Sequence, residues 1–314
     1  MKFARKYLLI PFMLMILLTV TACSDTTEST KSSSNKITFG LIGSIDAIPM
    51  IIAEEQGYFQ KHNVEVELQT FKSAKDRDAA FQGGNLDGII SDLIAIGLYN
   101  EAGFDVKITG STTGSFVFLA NPSIADIHDL KGKNVIVSKN TSIEYTLDKA
   151  LESVGLTAED VTKEEVPSIP TRLELLTNNQ ADAAVLPEPF VTMGIHAGLK
   201  ELTSTDSLKI DPFITAFTQE SIEKKGPEII AFYEAYDEAV DYLNTHAIDE
   251  YMDIVIDKIG YPEELKEQIQ LPEFRKNSLA KEEDIQAAFD WLKSKELLTK
   301  ELKPADVLSN IAIK

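Results

Sequence analysis

Small polar residues recur along this chain in short corners: Gly43, Ser44 and Asp46; Ser73; Ser91 and Asp92; Thr112, Thr113 and Gly114; Ser138, Asn140, Thr141 and Ser142; and Glu188 between Pro187 and Pro189. Hydroxyls, amides and the free N–H groups of helix starts can hold an oxyanion or a polar heterocycle without a full positive charge. Taken singly, each corner has a plainer use as a helix cap. Glu188 could accept hydrogen bonds from a ligand amine or, equally, from backbone N–H groups across a hinge. Phe116, Tyr145 and Phe190 could stack on a ring or fill a core. Arg77 and Arg172 both fall inside helical patterns, so the sequence alone does not assure a bidentate clamp on an anion.

Catalytic constellations fit less well. The four histidines, His62, His128, His196 and His246, are scattered, with no two at metal-ligand spacing and none in a corner. There is no GxSxG elbow and no phosphate-binding GxxxxGK, and Gly83–Gly84 reads as a helix stop. Ser91 and Asp92 adjoin but lack a histidine base, so they read as binding or capping groups. No catalytic residue, metal or cofactor is expected. A formal charge of −20 leaves nothing to neutralise a run of phosphates, which excludes a nucleic-acid partner.

The elements that must carry these corners alternate. Ile37 to Ile42 reads as a buried strand, and the apolar residues from Ile48 recur at helical spacing, with Asp46 as a cap and Pro49 in the first turn. VEVELQTF, LDGIISD and VKITGSTTGSFVFLA then read as strands, separated by the helices AKDRDAAFQGG and LIAIGLYNEAG. A second series follows, with strands KNVIVSK, VTKEEVPS and ADAAVLPEPF and helices NTSIEYTLDKALESVG and IPTRLELLTNNQ. Each series predicts a mostly parallel sheet flanked by helices, with its strand-end corners gathered on one edge. FITAFT is strand-like, and the chain beyond Gly226 is largely helical, so it is expected to return to the first unit. The expected fold class is therefore α/β in two lobes, residues 37–118 with 213–314, and 119–212. They are joined by crossings near Phe116 to Asn121 and Leu208 to Phe217 that act as a hinge.

Residues 1–23 stand apart. Lys2, Arg5 and Lys6 precede an uncharged run from Leu8 to Val20, too short for a comfortable membrane span, and VTAC ends at Cys23. The ending resembles a bacterial lipobox, which implies a lipidated Cys23, a cell-membrane anchor on the extracytoplasmic face and a chain left without a free thiol. Residues 24–36 have no large apolar side chain and read as a tether of at most ~45 Å.

The runs IPMIIAEEQGYFQKHNVEVEL, QGGNLDGIISD, DLKGKNVIVSKNTSIEYTLDKALESVGL, NNQADAAVLPEPF and FDWLKSKELL, in this order behind a lipobox, resemble the substrate-binding proteins of bacterial ABC importers. The nearest group includes binding proteins for nitrate, taurine, alkanesulfonates and pyrimidine precursors of thiamin. The resemblance covers essentially the whole mature chain. It implies a periplasmic-binding-protein-like type II fold, a small solute between the lobes, delivery to a permease and ATPase, and a monomer. It leaves the solute open between a sulfonate or other oxyanion and a nitrogen heterocycle. Relatives of the scaffold also include thiamin-pyrimidine synthases, whose cysteine-rich segment this chain lacks; a ligand-sensing surface lipoprotein is a further alternative.

Overall fold

The computed structural model describes residues 36–313. The expected leader, Cys23 and the tether as far as Asn35 lie outside the described residues. Ten strands, β1 (Lys36–Ile42), β2 (Glu65–Phe71), β3 (Gly88–Asp92), β4 (Val106–Ser111), β5 (Val117–Ala120), β6 (Asn134–Val137), β7 (Thr162–Glu165), β8 (Ala183–Leu186), β9 (Lys200–Ser204) and β10 (Phe213–Thr218), divide into two sheets. Their orders are β2-β1-β3-β10-β4 and β7-β6-β8-β5-β9. In each sheet one strand opposes all the others: β10 is antiparallel to β3 and β4, and β5 to β8 and β9. Both are the strands that bring the chain in from the other lobe. The remaining strands point one way, so their carboxyl ends share an edge.

The principal helices are α1 (Ile48–Glu55), α2 (Ala74–Gln82), α3 (Leu93–Glu101), α4 (Ser142–Ser153), α5 (Ile169–Thr177), α6 (Phe190–His196), α7 (Gly226–Thr245) and α8 (Glu282–Ser294). Alternation along β1 sends Ile37, Phe39 and Leu41 to a core shared with α1 and α7. There Phe232 of α7 packs on Phe39 and Phe59, with ring centres 4.8 and 5.4 Å away. Burial of one such ring contributes roughly 1.5–3 kcal/mol, enough to hold α7 against the first sheet. On the sheet's other face, Ile89, Ile108 and Ile214 meet α3 and α8. The second sheet has its own pair of cores, one on each face. Gly88 is fixed by close approach, because a Cβ there would lie 2.6 Å from the Phe217 ring and 2.9 Å from the Ala216 carbonyl.

Two expectations change. The run from Val106 to Ala120 is two strands in different sheets, because residues 112–116 carry the chain across between lobes. The C-terminal part is less helical than its pattern suggests. Beyond Tyr261 the chain makes a 3-10 stretch, Glu263–Gln268, and then runs irregularly to α8. Arg275 pins that irregular segment near the crossings: its Nη1 lies 2.5 Å from Asp211, its Nη2 donates to the Thr112 carbonyl, and its amide donates to Thr113 Oγ1 at 3.0 Å.

The lobes also touch away from the crossings. Asp148 on α4 accepts from Trp291 Nε1 of α8 at 3.0 Å and pairs with Lys295 at 2.7 Å, while Lys163 of its own lobe approaches at 2.5 Å. Tyr145 sits edge-on to Trp291, with ring centres 5.7 Å apart. This half-buried contact holds the two lobes face to face. Asp148→Ala is expected to let them part, read as a larger radius of gyration by small-angle scattering of the ligand-free protein. An unchanged scattering curve would show that the contact holds nothing closed.

Candidate functional site

Because the strands end on a common edge in each lobe, the corners after β1 and β3 face those after β6 and β8. Between them lies a cavity of about 60 Å³ lined by Ser44, Asp46, Ser91 and Asp92 from the first lobe and Ser138 and Thr141 from the second. Phe116 and Phe213 of the two crossings close one side, their rings 4.6 Å apart. Two further charged residues line it, Arg77 and Arg172.

Each arginine is the fourth residue of a helix, α2 in one lobe and α5 in the other, and each helix follows the edge strand of its sheet. Arg77 donates from Nε and Nη2 to Asp78 at 2.9 and 2.6 Å and from Nη2 to Ser91 at 3.3 Å. Burial works against its charge, but Asp78, Tyr99 and Asp92 outweigh that, so it stays protonated. Arg172 is 1% exposed and has no carboxylate partner. Its Nε and Nη2 donate to the carbonyls of Val166 and Pro167 at 2.7 and 2.9 Å, and Nη1 makes no hydrogen bond within the protein. Burial pushes its pKa down to about 10, still protonated at neutral pH. A buried cationic donor left unpaired is costly, and an oxyanion in the cavity would satisfy it.

The carboxylates differ in what holds them. Asp92 caps α3, its Oδ1 accepting from the amides of Ile94 and Ala95 at 3.0 Å each. Burial raises its pKa, opposed by Arg77, by the Ala95 amide and by the Ser142 hydroxyl, which reaches toward it from the second lobe. Asp46 sits in the 3-10 turn ahead of α1 and receives a hydrogen bond from the Ser44 hydroxyl. Burial pushes its pKa up to about 6, against the pull of Ser44 and Arg77.

The other predicted residues lie elsewhere. Ser73 caps α2, accepting from the Asp76 amide at 3.1 Å, and Ser142 is the buried first residue of α4. Thr141 joins both roles, lining the cavity and capping α4 at 3.2 Å from the Ile143 amide. Asn140 has positive φ, donates its amide to Glu144 at 2.8 Å, and opens on a separate groove with Lys75 and Asp78. The buried Thr112 and the partly exposed Thr113 meet Arg275. Glu188 accepts from the amide and hydroxyl of Thr192 at 3.0 and 2.9 Å, which ties it to α6; it lines, with Thr113, a larger open space of about 580 Å³ beside the crossings. Burial raises its pKa. Of the aromatics, Phe116 reaches the cavity, Tyr145 packs on Trp291 and Phe190 joins the core of the second sheet. None of the four histidines lines the cavity, and among the described residues no group of three His, Cys, Asp or Glu is placed to hold a metal.

The sequence reading missed the arginines as wall residues because helical periodicity assigned them to helix interiors. Their signal was positional: both fall one turn into the helix after an edge strand, where the N-terminal turn faces the strand-end edge.

The NMT1/THI5 like family matches residues 44–247, a span that carries every polar and charged residue lining the cavity. The chain belongs to this family. A Bacillus subtilis (strain 168) protein, provisionally named an aliphatic sulfonates-binding protein, is 26% identical over 281 residues, covering 85% of this chain and 84% of that one. Among solved structures, the alkanesulfonate-binding protein SsuA from Xanthomonas axonopodis pv. citri, bound to MOPS, superposes with a TM-score of 0.76 at 16% identity, covering 88% of this chain and 98% of that one. The periplasmic nitrate-binding protein NrtA from Synechocystis PCC 6803 superposes with a TM-score of 0.73 at 13% identity, covering 88% and 85%. At such identities the structural likeness establishes the two-lobed binding-protein fold.

The caps and the cavity wall separate by experiment. Ser73→Ala is expected to cost about 1 kcal/mol in urea unfolding, the usual loss for a helix cap, and to leave anion binding unchanged in calorimetry. Arg172→Met is expected to weaken anion binding by at least about tenfold, since a charge-assisted hydrogen bond is worth about 1.5–3 kcal/mol. Equal affinities in Arg172→Met and the parent protein would remove this residue from the site.

Proposed function

We propose that this protein is the extracytoplasmic solute-binding component of an ABC importer and that it captures a small organic anion, a sulfonate or related oxyanion, between its lobes. The observation that carries the reading is the buried, unpaired Nη1 of Arg172, which with Arg77 of the other lobe lines the inter-lobe cavity. The sulfonate- and nitrate-binding names among its relatives agree with that chemistry. A nitrogen heterocycle held by Glu188 is less well supported, because both oxygens of that carboxylate are engaged by Thr192 and it faces a different space.

In this reading residues 37–118 with 213–314 form one lobe and 119–212 the other, with the difference that Val117 and Phe118, the first half of β5, pair in the second sheet and belong with the second lobe. The lobes close on the solute, and the closed form is presented to a permease and its ATPase. The protein works as a monomer tethered through lipidated Cys23, with no cofactor and no catalytic step. The cavity has room for about four water-sized groups at roughly 10–15 Å³ each, so the fully closed form suits a solute of a few heavy atoms. Larger solutes would need a wider setting of the lobes.

A thermal-shift series with methanesulfonate, ethanesulfonate, nitrate and a hydroxymethylpyrimidine tests the reading. The anions are expected to raise the melting temperature, with about 2.7 kcal/mol of stabilisation at a hundredfold excess over Kd. A shift with the pyrimidine and none with any anion would overturn the anion assignment. Turnover of any of these compounds would point to an enzyme on the same scaffold.

A further inference from the structure

The cavity lining holds as many carboxylates as guanidinium groups, so it has no net positive charge to set against an anion. Arg77 is committed to Asp78 through two hydrogen bonds. Asp92 accepts from two backbone amides at the start of α3, which favours its charged form against the burial that raises its pKa. Arg172 offers Nη1 with no carboxylate of its own. Asp46 accepts from the Ser44 hydroxyl, and the amides of its own 3-10 turn, at Asp46 and Ala47, favour its charged form less strongly.

With both lining carboxylates ionised, Asp46 and Asp92 cancel the charges of Arg77 and Arg172, and Asp78 beside Arg77 adds a negative charge just outside the lining. An anion entering this space adds a further negative charge where water is largely excluded and Coulomb repulsion is weakly screened. One proton on Asp46 offsets that charge. Tyr236 of α7 is a buried phenol that stays neutral and offers Asp46 no compensating charge. Arg77 attracts it from α2, while Asp92 and Arg172 share its cavity.

We propose that Asp46 couples anion capture to proton uptake: as the solute enters as an anion, one proton passes from solvent to the Asp46 carboxylate, so the closed cavity gains no net charge. This rests on the anion reading above. It makes Asp46 a specificity residue as well, because its protonated carboxyl donates a hydrogen bond to an oxyanion and its ionised form repels one. Burial pushes the group up to about 6 against the pull of Ser44, Arg77 and the amides of its own turn, and a neighbouring anion pushes it higher. By linkage, affinity is full below the ligand-free pKa and falls by up to about tenfold per pH unit above it, until the anion-bound pKa is passed. Asp92 is also raised by burial, so the variant must separate the two carboxylates.

The test is calorimetric titration with methanesulfonate and with nitrate from pH 5.5 to 8.5, in two buffers of different ionisation enthalpy, using the parent protein and Asp46→Asn. The parent is expected to bind about 10- to 100-fold more weakly at pH 8 than at pH 6 and to take up close to one proton per anion at pH 7.5. Asp46→Asn is expected to bind independently of pH and more tightly than the parent at pH 8. Anion binding with a flat pH profile and no proton uptake overturns the proposal while leaving the anion reading intact. So does a variant that binds more weakly than the parent at pH 8, since the ionised carboxylate would then be meeting a donor on the solute. Should Asp46→Asn not fold, Asp46→Ser takes its place in the same titrations, since the proton count of the parent does not separate Asp46 from Asp92. Absence of binding by both anions at every pH overturns the anion reading and this proposal with it.

Discussion

A guanidinium withdrawn almost completely from water needs a partner, and Arg172 has carbonyl oxygens for two of its nitrogens and nothing for the third. Its burial would otherwise be among the costlier features of the chain. Around it the structure supplies an opposing lobe, a second arginine, hydroxyls and two carboxylates, all in a space with little room for water. The arrangement makes sense if the missing acceptor is brought by a solute. The protein then stores part of its binding energy as an unsatisfied donor, and a matched anion recovers it.

Strand direction is what lets distant residues meet there. Within each sheet only the strand arriving from the other lobe runs backwards, so the corners after the remaining strands point to one edge. The crossings place the two edges opposite one another. Phe116 and Phe213 pack together where the chain passes between lobes, so the hinge and the cavity wall are made from the same residues. Motion at the crossings therefore changes the cavity directly. The Asp148 contact with Trp291 and Lys295 joins the lobes at a point outside the cavity.

Much of this was legible in the sequence because strand and helix periodicities were clean and the glycine stops well placed. The corners at Ser44, Asp46, Ser91, Asp92, Ser138 and Thr141 were visible as strand ends, and the shared edge of a parallel sheet was enough to group them. Ser73 shows the limit of that logic: a strand-end serine that caps its helix looks the same in sequence as one that faces a ligand. Glu188 was ambiguous because four residues of helix bring Thr192 back to it, a local contact that no pattern announces. The arginines were hidden because periodicity says which face of a helix is apolar but not that its first turn overlooks a cleft. The run from Val106 to Ala120 read as one strand because both halves are apolar; only tertiary pairing shows that they belong to different sheets.

The placement of one arginine in each lobe has a consequence for unloading. A solute held by donors on a single lobe would have to be competed away. In the proposed reading the donor set exists only while the halves meet, because Arg77 belongs to one and Arg172 to the other. Any transporter that pries the halves apart dismantles the coordination sphere in the same stroke, and the cargo leaves because its cage has been split.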